Sequence, residues 1–242
     1  MEVELKPTLS IIMPVHNEEA CLERVILEIQ ESVLSRFPGS DLLAVDDGSR
    51  DSTPAILDSL SARFPRVVAY HKENGGHGDA LLYGLRRARG RYLFLMDSDG
   101  QTCPDDFWNL WKSNAESEFI CGVRSPRHDP IHRLAIARVL RAIIRIYFGV
   151  RCRDANVPFK LMSRDFWRQA EPFIPNDTLT PSLFLSIFAG RTLARFGEVE
   201  IRHRARETGS STIRTVRLLR FCLKAFCQMV KFHRSLPARK EA

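Results

Sequence analysis

The first hundred residues constrain the fold most. Apolar runs of strand length alternate there with segments of helical period, and each run ends on a polar turn. Leu9–Val15 is a continuous apolar run that leads into Pro14-Val15-His16-Asn17, as a buried strand does. Glu18–Leu34 places Leu22, Val25, Ile26 and Ile29 on one helical face, and Phe37-Pro38-Gly39 breaks it. Asp41–Asp46 reads as a second strand, followed by the turn Asp47-Gly48-Ser49. Thr53–Phe64 is a second helix with Ile56, Leu57 and Leu60 inward, and Val67–His71 a third strand. A glycine-rich loop, Asn74-Gly75-Gly76-His77-Gly78, leads into a helix over Ala80–Ala88. Arg91–Met96 is a fourth strand and ends at Asp97-Ser98-Asp99. This rhythm predicts an α/β chain with a mostly parallel sheet flanked by helices. Ligands of such sheets sit at the C-terminal ends of the strands.

The second half is less regular. Phe119–Val123, Phe159–Met162 and Leu193–Arg202 read as strands, and Ile131–Phe148 and Leu179–Ala189 as helices. After the polar turn Arg206-Glu207-Thr208-Gly209-Ser210-Ser211, a long basic helix covers Ile213–Arg234. No internal repeat or low-complexity linker interrupts the chain, so the expectation is one domain over 1–212 with a basic amphipathic extension over 213–242. The 242 residues suffice for a sizeable core. The net charge of +7 hides a division. Residues 1–119 hold 12 Lys+Arg and 20 Asp+Glu, a net −8, whereas residues 120–242 hold 24 and 9, a net +15. That excludes a uniformly acidic or basic surface, and the basic half suits an anionic partner. Six cysteines without a CxxC pair disfavour a zinc site and a disulfide scaffold, and they fit a reducing, cytoplasmic compartment. The N-terminus lacks a signal-peptide core. The most apolar candidate span, Leu134–Val150, is cut by Arg138, Arg141 and Arg145, so no membrane-crossing helix is expected.

Carboxylates concentrate at strand ends, at Asp46-Asp47 and at Asp97-Ser98-Asp99. Like charges held close repel. Capping of the Thr53 helix by Asp47 or Ser49 explains one turn by itself. A divalent cation explains acids at strand ends: Mg2+ or Mn2+ takes hard oxygen ligands and bridges to substrate phosphates. Other nucleotide motifs are missing. Gly76-His77-Gly78-Asp79-Ala80-Leu81 lacks the last glycine of the dinucleotide fingerprint, and there is no Walker lysine or G-x-S-x-G elbow.

Four of these segments together resemble a known family. Ser10–Glu19 is similar to the opening strand of family 2 glycosyltransferases, and Val45–Thr53 to their second, nucleotide-binding turn. Asn74–Ala80 with Gly84 and Gly90 resembles the loop and helix before their Asp-x-Asp motif, and Leu95–Gln101 resembles that motif. Downstream, Gly122-Val123-Arg124, Arg133, Asp154–Leu161 and Arg206-x-x-Gly209-x-Ser211 resemble the polyprenyl-phosphate sugar synthases, such as dolichyl-phosphate mannose synthases. Thr212 stands where those often carry Lys, and His16 where Tyr is frequent.

The resemblance implies a GT-A fold, a single Rossmann-like domain, and an inverting, metal-dependent hexosyltransferase. Its donor would be GDP-mannose or a UDP-hexose and its acceptor a polyprenyl phosphate. Pro14, His16, Glu18, Val45 and Asp47 are then expected to wall the nucleotide sugar, with Ser98. Asp97, Asp99 and Gln101 are expected at the metal and diphosphate, with Mg2+ or Mn2+ as cofactor. Arg124 and Arg206 would hold donor phosphate oxygens, and Arg133 and Ser211 the acceptor phosphate. Asp97, Asp99, Arg124 and Arg206 form the expected catalytic set.

A lipid acceptor implies a membrane surface. The basic amphipathic stretches Ile131–Phe148 and Ile213–Arg234 suit a helix lying in a lipid interface, so peripheral association is expected, with a homo-oligomer also compatible. Competing readings are a family 2 enzyme acting on a diacylglycerol or a saccharide, an inactive sugar-binding relative, and a basic nucleic-acid-binding protein. The last is disfavoured, because the motifs gather acids rather than bases and no nucleic-acid module is present.

Overall fold

β1 (Leu9–Val15) is buried along its whole length, because it has a parallel neighbour on each edge. The structure, a computed structural model, describes residues 8–114, 117–126, 131–193, 196–205 and 215–236, with the side chains of 131–133 and 215–223 left aside. β2 (Ser40–Asp47) pairs with β1 from Leu9↔Ser40 to Val15↔Asp46, and β3 (Val67–Lys72) adds to β2. On the other edge, β4 (Tyr92–Leu95) pairs with β1 only as far as Ile12↔Leu95. β6 (Lys160–Ser163) then lies antiparallel between β4 and β5 (Phe119–Arg124), and β7 (Gly197–Ile201) runs parallel to β5. The result is one seven-stranded sheet in the order β3-β2-β1-β4-β6-β5-β7. It is mixed and mostly parallel, as the alternation of the first half predicts.

The helices are α1 (Leu22–Ile29), α2 (Thr53–Arg63), α3 (His77–Arg87), α4 (Phe107–Ser113), α5 (Ile131–Phe148), α6 (Arg164–Ala170), α7 (Pro181–Thr192) and α8 (Thr215–Ser235). Four differ instructively from the sequence reading. The helix expected from Glu18 starts at Leu22, and its last turn, Gln30–Leu34, widens to π geometry. There Ser35 Oγ hydrogen-bonds the Glu31 carbonyl, and Trp108 Nε1 donates to the Ser32 carbonyl. Side chains that compete for carbonyls loosen the ordinary ladder. α3 begins at His77, three residues before Ala80, because Gly76 at a φ of 91° turns the chain and its carbonyl accepts the Ala80 N–H. α4 and α6, each of 7 residues, are too short to show a periodic pattern.

One core runs through the sheet and includes Met229 and Phe232 of α8. Phe232 meets Phe184 at 4.8 Å between centroids, and Gln228 Nε2 donates to the Asp177 carbonyl. The described C-terminal part of the basic helix is therefore packed on α7. No helix among the described residues is long and apolar enough to cross a membrane.

The sheet opens between β1 and β4. Two parallel neighbours leave in opposite directions from this point, which is the switch position where such sheets bind ligands. Pro14 marks the opening. Its carbonyl accepts from Ser98 Oγ at 2.9 Å, so it faces the β4 edge, where the β1 ladder has already ended. Proline lacks an N–H to donate there and costs no ladder hydrogen bond.

Candidate active site

Above that opening lies a cleft of about 240 Å³, lined by Pro14, His16, Glu18, Asp47, His77, Asp97 and Asp99, among others. Its floor comes from the ends of β1 and β2 and the turn after β4. Two loops form one side, stitched together by hydrogen bonds. Asn17, at a φ of 53°, takes the left-handed conformation that Asn tolerates. Its N–H donates to Ser49 Oγ, and its Oδ1 accepts the Arg50 N–H. The Glu18 N–H donates to Thr53 Oγ1, and the Ser52 N–H to Glu19 Oε2. His16 lies 2.9 Å from the Asp47 carbonyl through Nδ1, while Asn17 Nδ2 lies 3.0 Å from Nε2. These partners assign Nδ1 as the donor and Nε2 as the acceptor.

Asp47 holds the opposite wall. Oδ1 accepts the Gly75 N–H at 2.8 Å and Lys72 Nζ at 2.7 Å, and Oδ2 accepts the Gly76 N–H at 2.7 Å. Burial pushes this carboxyl up, but the Gly75, Lys72 and Gly76 donors outweigh it and hold it below the usual carboxylate range. The glycine loop thus wraps around a carboxylate expected from sequence to meet the nucleotide. Asp46 turns away, to His71 Nδ1 at 2.9 Å. Ser98 is buried and ties the β4 turn to Pro14.

Asp97 and Asp99 share the cleft, and Gly100, at a φ of 70°, bends the turn behind them. The Gln101 N–H donates to Asp99 Oδ1. At the head of α3, His77 Nε2 lies 2.9 Å from Asp97 Oδ1. Burial works against a charged imidazole, but Asp97, Asp99 and Asp47 overcome it and raise His77 above the ordinary histidine value. His77 thus lines the cleft wall, and its contact with Asp97, twenty residues on, has no counterpart in the local sequence pattern. Its position directly after Gly75-Gly76 puts the side chain at the first helical residue. Sequence reasoning missed Lys72 and Asn74; Asn74 Nδ2 donates to the Asp47 carbonyl.

Other expected site residues fall elsewhere. Val45 is buried beneath α3, where Gly84 leaves room for it, and it does not line the cleft. The Gln101 amide lies 3.5 Å from the Arg204 carbonyl rather than in the cleft, and the Gln101 carbonyl accepts the Arg204 N–H. Arg124, at the end of β5, forms a two-pronged pair with Asp154 at 2.8 and 3.0 Å, and this pair is largely buried. Arg133 lies on α5, but its side chain, like Arg206 and Ser211, falls outside the described residues.

The family model of glycosyl transferase family 2 matches residues 10–166, the stretch that carries this cleft. The chain belongs to that family. This glycosyltransferase chain is 26% identical over 219 residues to the undecaprenyl-phosphate 4-deoxy-4-formamido-L-arabinose transferase of Pseudomonas aeruginosa, covering 87% of this chain and 61% of that protein. It is 29% identical over 175 residues to a dolichyl-phosphate beta-glucosyltransferase of Trichomonas vaginalis, covering 64% of this chain and 53% of that protein. The chain thus spans about three-fifths of the length of the first of these relatives. Its architecture matches the glucosyl-3-phosphoglycerate synthase of Mycobacterium tuberculosis, solved with Mn2+, uridine diphosphate and phosphoglyceric acid. That match has a TM-score of 0.69 and 21% identity, over 96% of this chain and 80% of that one. The glycosyltransferase fold is therefore GT-A.

The donor set fits a divalent cation of the kind expected. Among the described residues no three His, Cys, Asp or Glu side chains gather into a metal site; the oxygen donors the cleft presents at this turn are the carboxylates of Asp97 and Asp99. Mg2+ and Mn2+ are held this way, by one or two carboxylates plus phosphate oxygens and water.

Proposed function

We propose that this chain is an inverting hexosyltransferase that moves a sugar from GDP-mannose or a UDP-hexose to a polyprenyl phosphate, working peripherally at a membrane. The observation that carries the reading is the pairing of Asp97 and Asp99 in one cleft at the β1/β4 opening, with Pro14, His16 and Glu18 on its rim. The named activities of the two relatives support the acceptor class.

In this reading Pro14, His16 and Glu18 bound the nucleotide end, and Asp47 acts through the Gly75-Gly76 loop that it holds in place. Asp97 and Asp99 would hold Mg2+ or Mn2+, which would offset negative charge on the departing diphosphate. His77, whose Nε2 lies 2.9 Å from Asp97 Oδ1, stands on the same wall and orients that carboxylate. Arg124 reaches phosphate from a guanidinium whose orientation Asp154 fixes, with Arg206, Arg133 and Ser211 as the further phosphate contacts. The acceptor phosphate oxygen bonds to the anomeric carbon as the bond from that carbon to the diphosphate oxygen breaks. A phosphate monoester is already anionic near neutral pH, so the site needs positioning and charge stabilisation more than a strong base.

The test is transfer from UDP-glucose and GDP-mannose with Mn2+ or Mg2+, offering undecaprenyl phosphate, diacylglycerol or a free saccharide. Product forms on the lipid phosphate alone, and Asp99→Ala falls to background with an unchanged fold. Transfer to diacylglycerol or saccharide but not to the phosphate refutes the acceptor. Near-normal turnover by Asp99→Ala refutes the metal assignment.

A further inference from the structure

α5 carries an outward face that the fold does not use. Ile144 and Phe148 are buried, and Leu140 and Ile143 lean on the core. The opposite side exposes Val139 at 60% and Ile146 at 84%. Among the described residues five large apolar side chains are exposed, and four of them, Ile136, Val139, Ile146 and Tyr147, belong to α5. With 3.6 residues per turn, Ala135, Val139, Ala142 and Ile146 fall in one stripe. Arg138, Arg141 and Arg145, all exposed, form a second stripe directly beside it, and the helix contains no Asp or Glu. A helix packed only on its own fold keeps its outer face polar; this one pairs isoleucine and valine with arginine.

The position is as telling as the chemistry. β5 runs antiparallel to β6 and β6 antiparallel to β4. The C-terminal end of β5 therefore opens at the same end of the sheet as Asp97, and α5 starts seven residues after Arg124. We propose that the outer face of α5 lies on a bilayer surface bearing anionic headgroups. The Val139–Ile146 stripe enters the acyl boundary and Arg138, Arg141 and Arg145 meet lipid phosphates. This rests on the lipid-phosphate reading above and names the surface that serves it. On α8 the described C-terminal part gives Met229 and Phe232 to the core, as α5 gives Ile144 and Phe148; α5 is the helix whose outer face carries most of the exposed apolar side chains among the described residues. Charge selects the occupant. A two-fold pairing with a second copy would set one arginine stripe against another with no acid on either helix, whereas an anionic surface neutralises all three.

The test is co-sedimentation of the full chain with vesicles of phosphatidylcholine alone or mixed with phosphatidylglycerol. The chain binds the mixed vesicles far better. One arginine near an anionic leaflet contributes about fivefold in affinity, so Arg138→Gln/Arg141→Gln/Arg145→Gln binds about 100-fold more weakly. Val139→Ser/Ile146→Ser also loses vesicle binding, while both variants melt as the parent does and keep its transfer rate on detergent-dispersed acceptor. Unchanged vesicle binding by either variant overturns the proposal. So does a vesicle-free, concentration-dependent dimer that Ile146→Ser abolishes, because the face then belongs to a second copy. If the parent fails to transfer to lipid phosphate in detergent, the acceptor reading falls, and the vesicle comparison still decides the face.

Discussion

Replacing Asp47 by Asn tests whether this residue shapes the cleft by holding the glycine loop. The side chain is 3% exposed and receives Gly75, Gly76 and Lys72. Asn keeps the volume but turns one acceptor oxygen into an NH2 group, which must then face a backbone N–H or the Lys72 ammonium. Breaking a buried ion pair costs roughly 3–5 kcal/mol. Lys72 keeps Asp79 at 2.7 Å and is itself 14% exposed, which places this case at or below the lower end, about 2–3 kcal/mol. In a chain of this length that lowers Tm by roughly 5–10 °C. The assay is thermal denaturation with and without uridine or guanosine diphosphate and Mn2+; the variant melts earlier and gains less from the nucleotide, since His77 follows the loop. A Tm within about 2 °C of the parent, with full nucleotide stabilisation, refutes the reasoning. So does strict additivity with Lys72→Met, because groups in contact couple by about 0.5–3 kcal/mol. The folded pKa of Asp47 is depressed, so its contribution is present above the unfolded value near 3.9 and is lost as pH falls through the folded value. Acid unfolding of Asp47→Asn is correspondingly less steep.

Two further substitutions probe the frame around the cleft. Gly78→Ala adds a Cβ that would overlap the Thr178 carbonyl oxygen; despite the better helix propensity of Ala, overpacking costs about 1–3 kcal/mol. A raised urea midpoint for Gly78→Ala shows that the contact yields freely and that the argument fails. His71 is held above the ordinary histidine value, chiefly by its hydrogen bond to Asp46, against burial and with help from Asp58. A raised pKa contributes stability that is full below the unfolded value of about 6.5 and is lost as pH rises through the folded one. The parent Tm therefore declines relative to His71→Gln across that window, and parallel melting curves overturn the assignment.

Much of the amino-terminal half was legible because β1, β2 and β4 are largely buried and read as apolar runs, whereas the edge strand β3 is only half-buried. Leu9–Val15 and the Asp97 turn are examples. Pairing between distant segments was not. The insertion of β6 between β4 and β5 depends on which apolar strand reaches the β4 edge first, and Lys160–Ser163 carries no local mark of that choice. The candidate site divides along the same line. Pro14, His16 and Asp97 follow from strand ends. The capture of Arg124 by Asp154, thirty residues on, is a contact between segments that no local pattern encodes. Asp47 shows a subtler limit: its acidity and its place at a strand end were evident, but the N–H groups that saturate it come from a loop twenty-eight residues later.

Pro14 has one more consequence, concerning how far a sheet can zip. Two parallel strands go on recruiting residues for as long as each side offers a donor and an acceptor. On the β4 edge of β1 the next donor after Ile12 would be residue 14, and proline cannot supply it. Propagation stops there because an atom is missing from the chain. After Met96, whose N–H still donates to the Ile12 carbonyl, the segment leaves the ladder, and its two aspartates line the cleft instead of being drawn onto a covered sheet face. An imino ring in one strand thereby keeps a groove open in its neighbour.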